Sequence, residues 1–270
     1  MPYTGAEIDG DVVVVTGGGT GIGAAIAERF AADGAKVVIV GRRAVPLEDV
    51  AVRIGALALV ADVADADAVA GVVQSVLAEF GRIDTLVCNA GGPGFTTVGE
   101  TSDRDWNVAL QSNLTTSFVI TRAFLPALIE RRGRVVMVSS LSGLFAGPSM
   151  AGYITAKHAL IGLTKSLARD YGQQGVRVNA VCPGWVRTPM ADEEMQELVD
   201  HGAFRTRDDA YREVTKDIPL RRVGAPEEIA ALTRFLGSGE SSYMTGATLV
   251  IDGGAHIVDV PTLAFEAARA

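Results

Sequence analysis

Asp11-Val-Val-Val-Val-Thr16 runs directly into Gly17-Gly-Gly-Thr-Gly21-Ile-Gly23, and this junction restricts the chain more than any other stretch. Valine is stiff at χ1 and favours extended backbone, and an apolar run without alternation needs cover on both faces, as in a parallel sheet. Residues Ala24 to Asp33 then follow an alanine-rich helical period, closed by Gly34 in the position glycine favours after a helix. The order is strand, glycine turn, helix. Glycines let the backbone turn tightly and approach a ligand, and a helix amino terminus offers unpaired N–H groups to an anion such as a pyrophosphate. A glycine-rich turn alone is weak evidence, but the flanking strand and helix are the context it needs.

The same unit recurs along the chain. Lys36-Val-Val-Ile-Val-Gly41 predicts a second strand that exits through Arg42 and Arg43, and Ala56 to Val60 a third with Asp62 beyond its end. A helix from about Ala64 to Phe80 stops at Gly81, and Ile83 to Cys88 predicts a fourth strand ending in the small-residue turn Asn89-Ala90-Gly91. Asp103 to Arg132 has the length of one long helix and carries Asn113. Arg134 to Ser139 predicts a fifth strand, and a helix opening at Tyr153 extends to about Gln173. Val176 to Cys182 is a sixth strand, stopped by Pro183-Gly184, and Ala247 to Asp252 a seventh. This alternation predicts an α/β fold of one domain, a Rossmann-type doubly wound sheet of seven parallel strands with helices on both faces. Residues 190–216 are acidic, helical in character and too long for a connector, so a substrate lid is predicted there. Beyond Gly254, the tail 255–270 presents Val258, Val260, Leu263 and Phe265, which suit an oligomer contact.

Composition narrows the partners. The chain has 270 residues and a formal net charge of −8 with its basic residues scattered, which does not suit a nucleic-acid backbone. No apolar run reaches the ~18 residues of a membrane span and the first residues form no basic leader, so a cytoplasmic protein is expected. Cys88 and Cys182 lie far apart in apolar runs and read as buried reduced thiols. The three histidines lack ligand spacing, and no metal site is assigned.

Two clusters carry chemistry. Ser140 falls at the carboxyl end of the fifth strand, where open α/β sheets bind ligands, and Tyr153 and Lys157 share one helical face at i,i+4. A free phenol titrates near ~10, and a neighbouring ammonium is expected to pull it toward working pH, as an acid/base group needs. At the end of the second strand, an acid would bind the ribose hydroxyls of NAD(H), whereas a 2′-phosphate needs that acid absent and an Arg nearby. Gly41 stands in the acid's place and Arg42 follows, so NADP(H) is favoured over NAD(H).

From Val12 to Gly254 the chain resembles the short-chain dehydrogenases/reductases. Thr16-Gly17-x-x-x-Gly21-x-Gly23, Asn89-Ala90-Gly91, Asn113, Ser140, Tyr153-x-x-x-Lys157 and Pro183-Gly184 occur in the family's order. The resemblance implies hydride transfer between a nicotinamide and a carbonyl or alcohol carbon. Tyr153 would protonate the nascent alkoxide, Ser140 orient the carbonyl, Lys157 lower the phenol's pKa and hold the ribose, and Asn113 hold a relay water. The cofactor site it implies comprises Gly17, Thr20, Gly21, Ile22, Gly23, Arg42, Arg43, Asp62, Val63, Asn89, Ala90, Gly91, Tyr153, Lys157, Pro183, Gly184, Val186 and Thr188, with Thr188 on the carboxamide. It also implies a homotetramer or dimer through the two long helices. An NADP(H)-dependent ketoreductase of a mostly apolar small molecule is favoured. The alternatives are a 3-oxoacyl-[acyl-carrier-protein] reductase and an NAD-dependent alcohol dehydrogenase, with a non-catalytic NADP-binding sensor last. The acids Asp192, Glu193, Glu194 and Glu197 would repel an acidic carrier protein, and Gln174 stands where carrier-using relatives often place an Arg.

Overall fold

The valine run is buried because two helical layers cover it. In the computed structural model, which describes residues 8–92 and 94–268, β1 (Val12–Thr16) is buried along its whole length. Val13 and Val15 pack with Ile26 and Phe30 of α1 (Gly21–Ala32) and with Ile229 and Leu236 of α9 (Pro226–Leu236). Val12 and Val14 face the other layer, made by α3 (Ala66–Phe80), α5 (Thr116–Arg131) and α6 (Ala151–Tyr171), where Val72, Phe124 and Leu160 meet them in one core. Period-two side chains with apolar partners on both sides account for a strand without polar alternation. Residues 1–7, read above for a leader, and the last two of the tail lie outside the described residues.

The remaining strands are β2 (Lys36–Gly41), β3 (Leu57–Val60), β4 (Thr85–Cys88), β5 (Arg134–Val138), β6 (Arg177–Pro183) and β7 (Thr248–Ile251). All neighbours pair in parallel, in the order β3-β2-β1-β4-β5-β6-β7. The chain winds outward from β1 to β3, returns to β4 and winds the other way, so the carboxyl ends of β1 and β4 flank a crevice. Between β2 and β3 runs α2 (Ala44–Ile54). Helices α7 (Pro189–Asp200) and α8 (Arg207–Val214) occupy the predicted lid, and a short α10 (Leu263–Ala267) lies in the tail.

Two helix predictions are corrected. The span from Asp103 to Arg132 is not one helix: α4 (Asp103–Leu110) passes through a π turn at Gln111–Thr115 into α5. The wide turn follows from Asn113, whose amide is used across the chain, so the regular ladder yields there. The first helix starts three residues earlier than its apolar period, at Gly21, which brings the glycine N–H groups into its first turn. In the tail, Val260 and Phe265 are exposed as expected, whereas Val258 and Leu263 are half-buried.

Opposite the crevice, an ionic cluster joins three strands at their amino ends. The Asp84 carboxylate, just before β4, accepts from Val12 N (2.9 Å), from Arg82 Nε and Nη2 (both 2.7 Å) and from Arg131 Nε (3.2 Å). Asp11 accepts from Arg82 (3.1 Å) and Arg134 (2.6 Å). Burial alone would raise the Asp84 pKa, but the Arg82 bond, the Val12 N–H and the Arg131 bond together hold it below the usual carboxylate range. A depressed carboxyl pKa gives stability that is present above the unfolded value of ~4 and is lost as pH falls through the folded one. Asp84→Asn should therefore cost about 2–3 kcal/mol at neutral pH, measured by denaturant unfolding, since it strands two partly exposed guanidinium groups. The gap to wild type should narrow below pH ~4; a gap that stays constant on acidification would show that the cluster contributes no charge-dependent stability.

Candidate active site

The glycine turn forms one wall of a cleft of about 490 Å³ that runs along the carboxyl edge of the sheet. Gly17 (φ +68°) and Gly21 (φ +55°) adopt backbone that L side chains rarely reach. A Cβ at Gly23 would overlap the Gly17 carbonyl oxygen and the Asn89 amide, and one at Gly91 would stand 3.1 Å from Asn113 Oδ1. The cradle is closed to side chains and open to a slender ligand. Thr16 ties it to the sheet: its hydroxyl accepts from Asn89 N and Ala90 N, both at 3.0 Å, and donates to Val87 O (3.3 Å). Asn89 in turn donates from Nδ2 to Thr16 O (3.0 Å) and Gly17 O (3.3 Å). Glycine freedom, the α1 amino terminus and a cleft of this size fit a dinucleotide.

Tyr153 and Lys157 lie on the floor of the same cleft. The start of α6 is fixed by Tyr153 N donating to Gly94 O (3.3 Å), Ala151 N to Thr96 O (3.1 Å) and Ser139 Oγ to Lys157 O (2.9 Å). Lys157 is buried; its Nζ donates to Val138 O (3.1 Å) and sits 5.5 Å from the Tyr153 ring centroid. The Phe95 ring packs against the phenol, tilted by 51° with the centroids 5.2 Å apart. Ser140, in extended backbone past β5, accepts Ser142 N (3.1 Å), and its hydroxyl lies close enough to the Tyr153 phenol to act on its pKa. Asn113 is fully buried in the π turn: Oδ1 accepts Gly92 N (3.1 Å), and Nδ2 donates to Ala109 O (3.0 Å).

Charge states depart from the sequence expectation. Burial raises the Tyr153 pKa; the Ser140 bond opposes this and the carboxylate of Glu194 adds to it. The phenol therefore stays above its ordinary value because burial outweighs the groups that would lower it, and burial also pushes Lys157 down to about 8. At neutral pH the pair is a protonated phenol beside a charged lysine, the proton-donating form.

Most of the expected cofactor residues line the cleft together: the loop glycines with Thr20 and Ile22, Arg42 and Arg43 past β2, Asp62 and Val63 past β3, Asn89 to Gly91, and Thr188. Arg43 reaches over the opening to donate to Thr20 Oγ1 (3.3 Å), and Thr188 accepts Ala191 N (3.2 Å) as the cap of α7. Pro183, Gly184 and Val186 stand behind the wall: Pro183 ends β6, a Cβ on Gly184 would meet Asp252 at 2.7 Å, and Val186 packs in the core. Sequence reasoning passed over Gly92, the partner of Asn113, and Phe95. No pattern marks the first, while an aromatic shortly before the tyrosine helix was a signal for the second.

Fold and site define a dinucleotide-binding oxidoreductase of the Rossmann type. The family model described as "Enoyl-(Acyl carrier protein) reductase" matches residues 17–256. Over 258 residues the chain is 51% identical to "Protein MoaE" of Klebsiella aerogenes, covering 94% of this chain and 98% of that protein. Over 258 residues it is 39% identical to "Oxidoreductase UcpA" of Salmonella typhi, covering 93% and 96%. The structure of L-sorbose reductase from Gluconobacter frateurii, complexed with NADPH and L-sorbose, superposes with a TM-score of 0.88 at 30% identity, covering 93% and 98%. The chain belongs to the short-chain dehydrogenase/reductase family and is an oxidoreductase acting on CH–OH or C=O groups with a nicotinamide cofactor.

Tyr153→Phe should lower kcat by roughly 10²–10⁴-fold while the cofactor dissociation constant stays near that of wild type. More than a tenth of the parental kcat would remove Tyr153 from the proton transfer. The second expectation concerns Lys157, which is charged below its pKa of about 8 and neutral above it. For ketone reduction, kcat/KM should hold level below that value and fall above it; a continued rise well above it would exclude a role for the ammonium.

Proposed function

We propose that the protein is an NADP(H)-dependent ketoreductase or secondary-alcohol dehydrogenase for a free, mostly apolar small molecule. The observation that carries the reading is that Tyr153 and Lys157 share one cleft with the glycine cradle and the Arg42–Arg43 pair. When bound, the cofactor supplies or accepts the hydride. Tyr153 gives its phenol proton to the carbonyl oxygen, and the Ser140 hydroxyl donates to the same oxygen and fixes its direction. Lys157, held at Val138 O, keeps a positive charge behind the phenol as it loses its proton. Asn113 locks the cleft floor by binding Gly92 N, and its burial leaves the π turn in one arrangement.

Support for an apolar substrate comes from Phe95 on the phenol and from the exposed Leu144, Phe145 and Met190, which lie in segments flanking Ser140, Tyr153 and Thr188. A thioester on an acyl carrier protein is the competing reading, in keeping with the family model's description. It is disfavoured by the acids of α7, whose charge has the sign of such a carrier. Self-association along α4, α5 and α6 is supported by Phe118, exposed on α5 with the Arg122 guanidinium stacked 5.1 Å from its ring centroid. Buried free thiols at Cys88 and Cys182 are in keeping with a cytoplasmic setting, and no helix among the described residues is long and apolar enough to cross a membrane.

Arg42→Ala tests the cofactor preference. Hydrogen bonds to charged groups contribute about 1.5–3 kcal/mol, so kcat/KM for NADPH should drop roughly 10–150-fold with little change for NADH. A Cβ on Gly41 meets only Leu47, at 3.6 Å, so Gly41→Asp is tolerated sterically and should reverse the preference by repulsion. Equal losses with both cofactors in Arg42→Ala would mean that the guanidinium stacks on the adenine and does not read the phosphate.

A further inference from the structure

Lys157 is gripped at both ends by one strand terminus. Its Nζ donates to Val138 O (3.1 Å) and its main-chain carbonyl accepts from Ser139 Oγ (2.9 Å), so two consecutive residues at the exit of β5 hold its head and its backbone. Both bonds are buried, and Ser139 is tied in turn to β6 through its N–H on Val181 O (2.8 Å). Inside α6 a carbonyl already accepts from the N–H four residues on, so the one at Lys157 needs no second donor for its own sake. The Ser139 hydroxyl therefore serves the contact between sheet and helix. Gly143 closes over that contact: a Cβ there would stand 2.5 Å from Ser139 Oγ and 2.9 Å from Lys157 O. Its N–H donates to Ser140 O (2.8 Å), so the turn that carries Ser140 leaves the sheet at Ser139 and returns onto it.

We propose that Ser139 is a positioning residue for the reaction: its hydroxyl sets the register of α6 on β5 so that the Lys157 ammonium stays on Val138 O beside the Tyr153 phenol. Gly143 belongs to the same device, because any side chain there parts the pair. The inference rests on the reading of Lys157 as the charge behind the phenol, and it adds the two residues that keep that charge in place. A lysine head on a flexible four-carbon stem is not placed by its helix alone, and a displacement of about 1 Å near reacting atoms can cost on the order of 10²-fold in rate. Nζ lies close to Gly91 and the Asn113 amide, which do not titrate. The titratable groups near it are Tyr153 on its own helix and Cys182 at the end of β6.

The test reads the ammonium itself. The sequence has four lysines, and Lys36, Lys165 and Lys216 are exposed. Carbon-13 labelling at lysine Cε gives one resonance for each, and that of the buried Lys157 is assigned by its absence in K157M. The resonances of the full chain are followed by NMR through a pH titration for wild type, S139A, S139T and G143A. Wild-type Lys157 should titrate at about 8. A weakened acceptor disfavours the charged form, so in S139A and G143A the midpoint should fall by about one pH unit, while S139T, which keeps the hydroxyl, should stay within about 0.3 of wild type. The three exposed lysines should not move. The proposal is overturned if S139A or G143A titrates with wild type, or if S139T moves as far as S139A. A melting temperature that falls in S139A with the Lys157 midpoint unmoved would make Ser139 a packing residue and nothing more. If S139A does not fold, G143A carries the same comparison. A K157M variant that keeps its kcat on a ketone that wild type reduces would defeat the reading of Lys157 and leave the titration result standing. An unmoved midpoint with K157M inactive would do the reverse.

Discussion

Everything at the cleft depends on how the ends of β1 and β4 are held where the sheet changes direction. At that point the chain has two strand termini and no helix between them, so backbone groups face an opening and need partners. The Thr16 hydroxyl supplies three of them, to Asn89 N, Ala90 N and Val87 O, and the Asn89 amide closes the ring on Thr16 O and Gly17 O. With these polar groups satisfied among themselves, the N–H groups at the start of α1 are left for a ligand. The valines beneath keep this edge rigid because they are packed from both faces.

Burial does the second part of the work, by moving two titrations apart. The phenol of Tyr153 is raised and the ammonium of Lys157 is lowered to about 8 by the same cause, removal from water. The adjacency of the two groups at i,i+4 places them; the surroundings decide which proton is the more labile. Val138 O and the backbone ties from Gly94, Thr96 and Ser139 keep the lysine and the phenol in register without an external ligand.

Helices α7 and α8 add a layer with its own small core of Ala191, Met195, Ala210 and Tyr211. Arg187 joins this layer to the β6 exit through its stack on Tyr211 and its pairs with Asp192 and Asp208. Those contacts use up the Asp192 carboxylate, so the acid nearest the start of α7 is neutralised within this layer.

Local rules settled a large part of this protein. Unbroken valine runs between glycines and helical periods dictate buried parallel strands, and the two-residue exit Gly41-Arg42 dictates a β2 exit without an acid, since both follow from side-chain shape and charge at adjacent positions. The spacing of Tyr153 and Lys157 likewise needs only the pitch of a helix. Tertiary structure decided what depends on residues far apart in the chain. Asn113 is tied to Gly92 through a π turn that no period announces, and Pro183, Gly184 and Val186 support the wall without lining it. The phenol's pKa rises where the sequence pointed down, because desolvation is set by everything packed around a group and not by its neighbour one turn away. Asp192 was one acid among several until the fold brought Arg187, Arg207 and Tyr211 to it, for pairing is a matter of which distant groups arrive, and that is decided only when the layers meet.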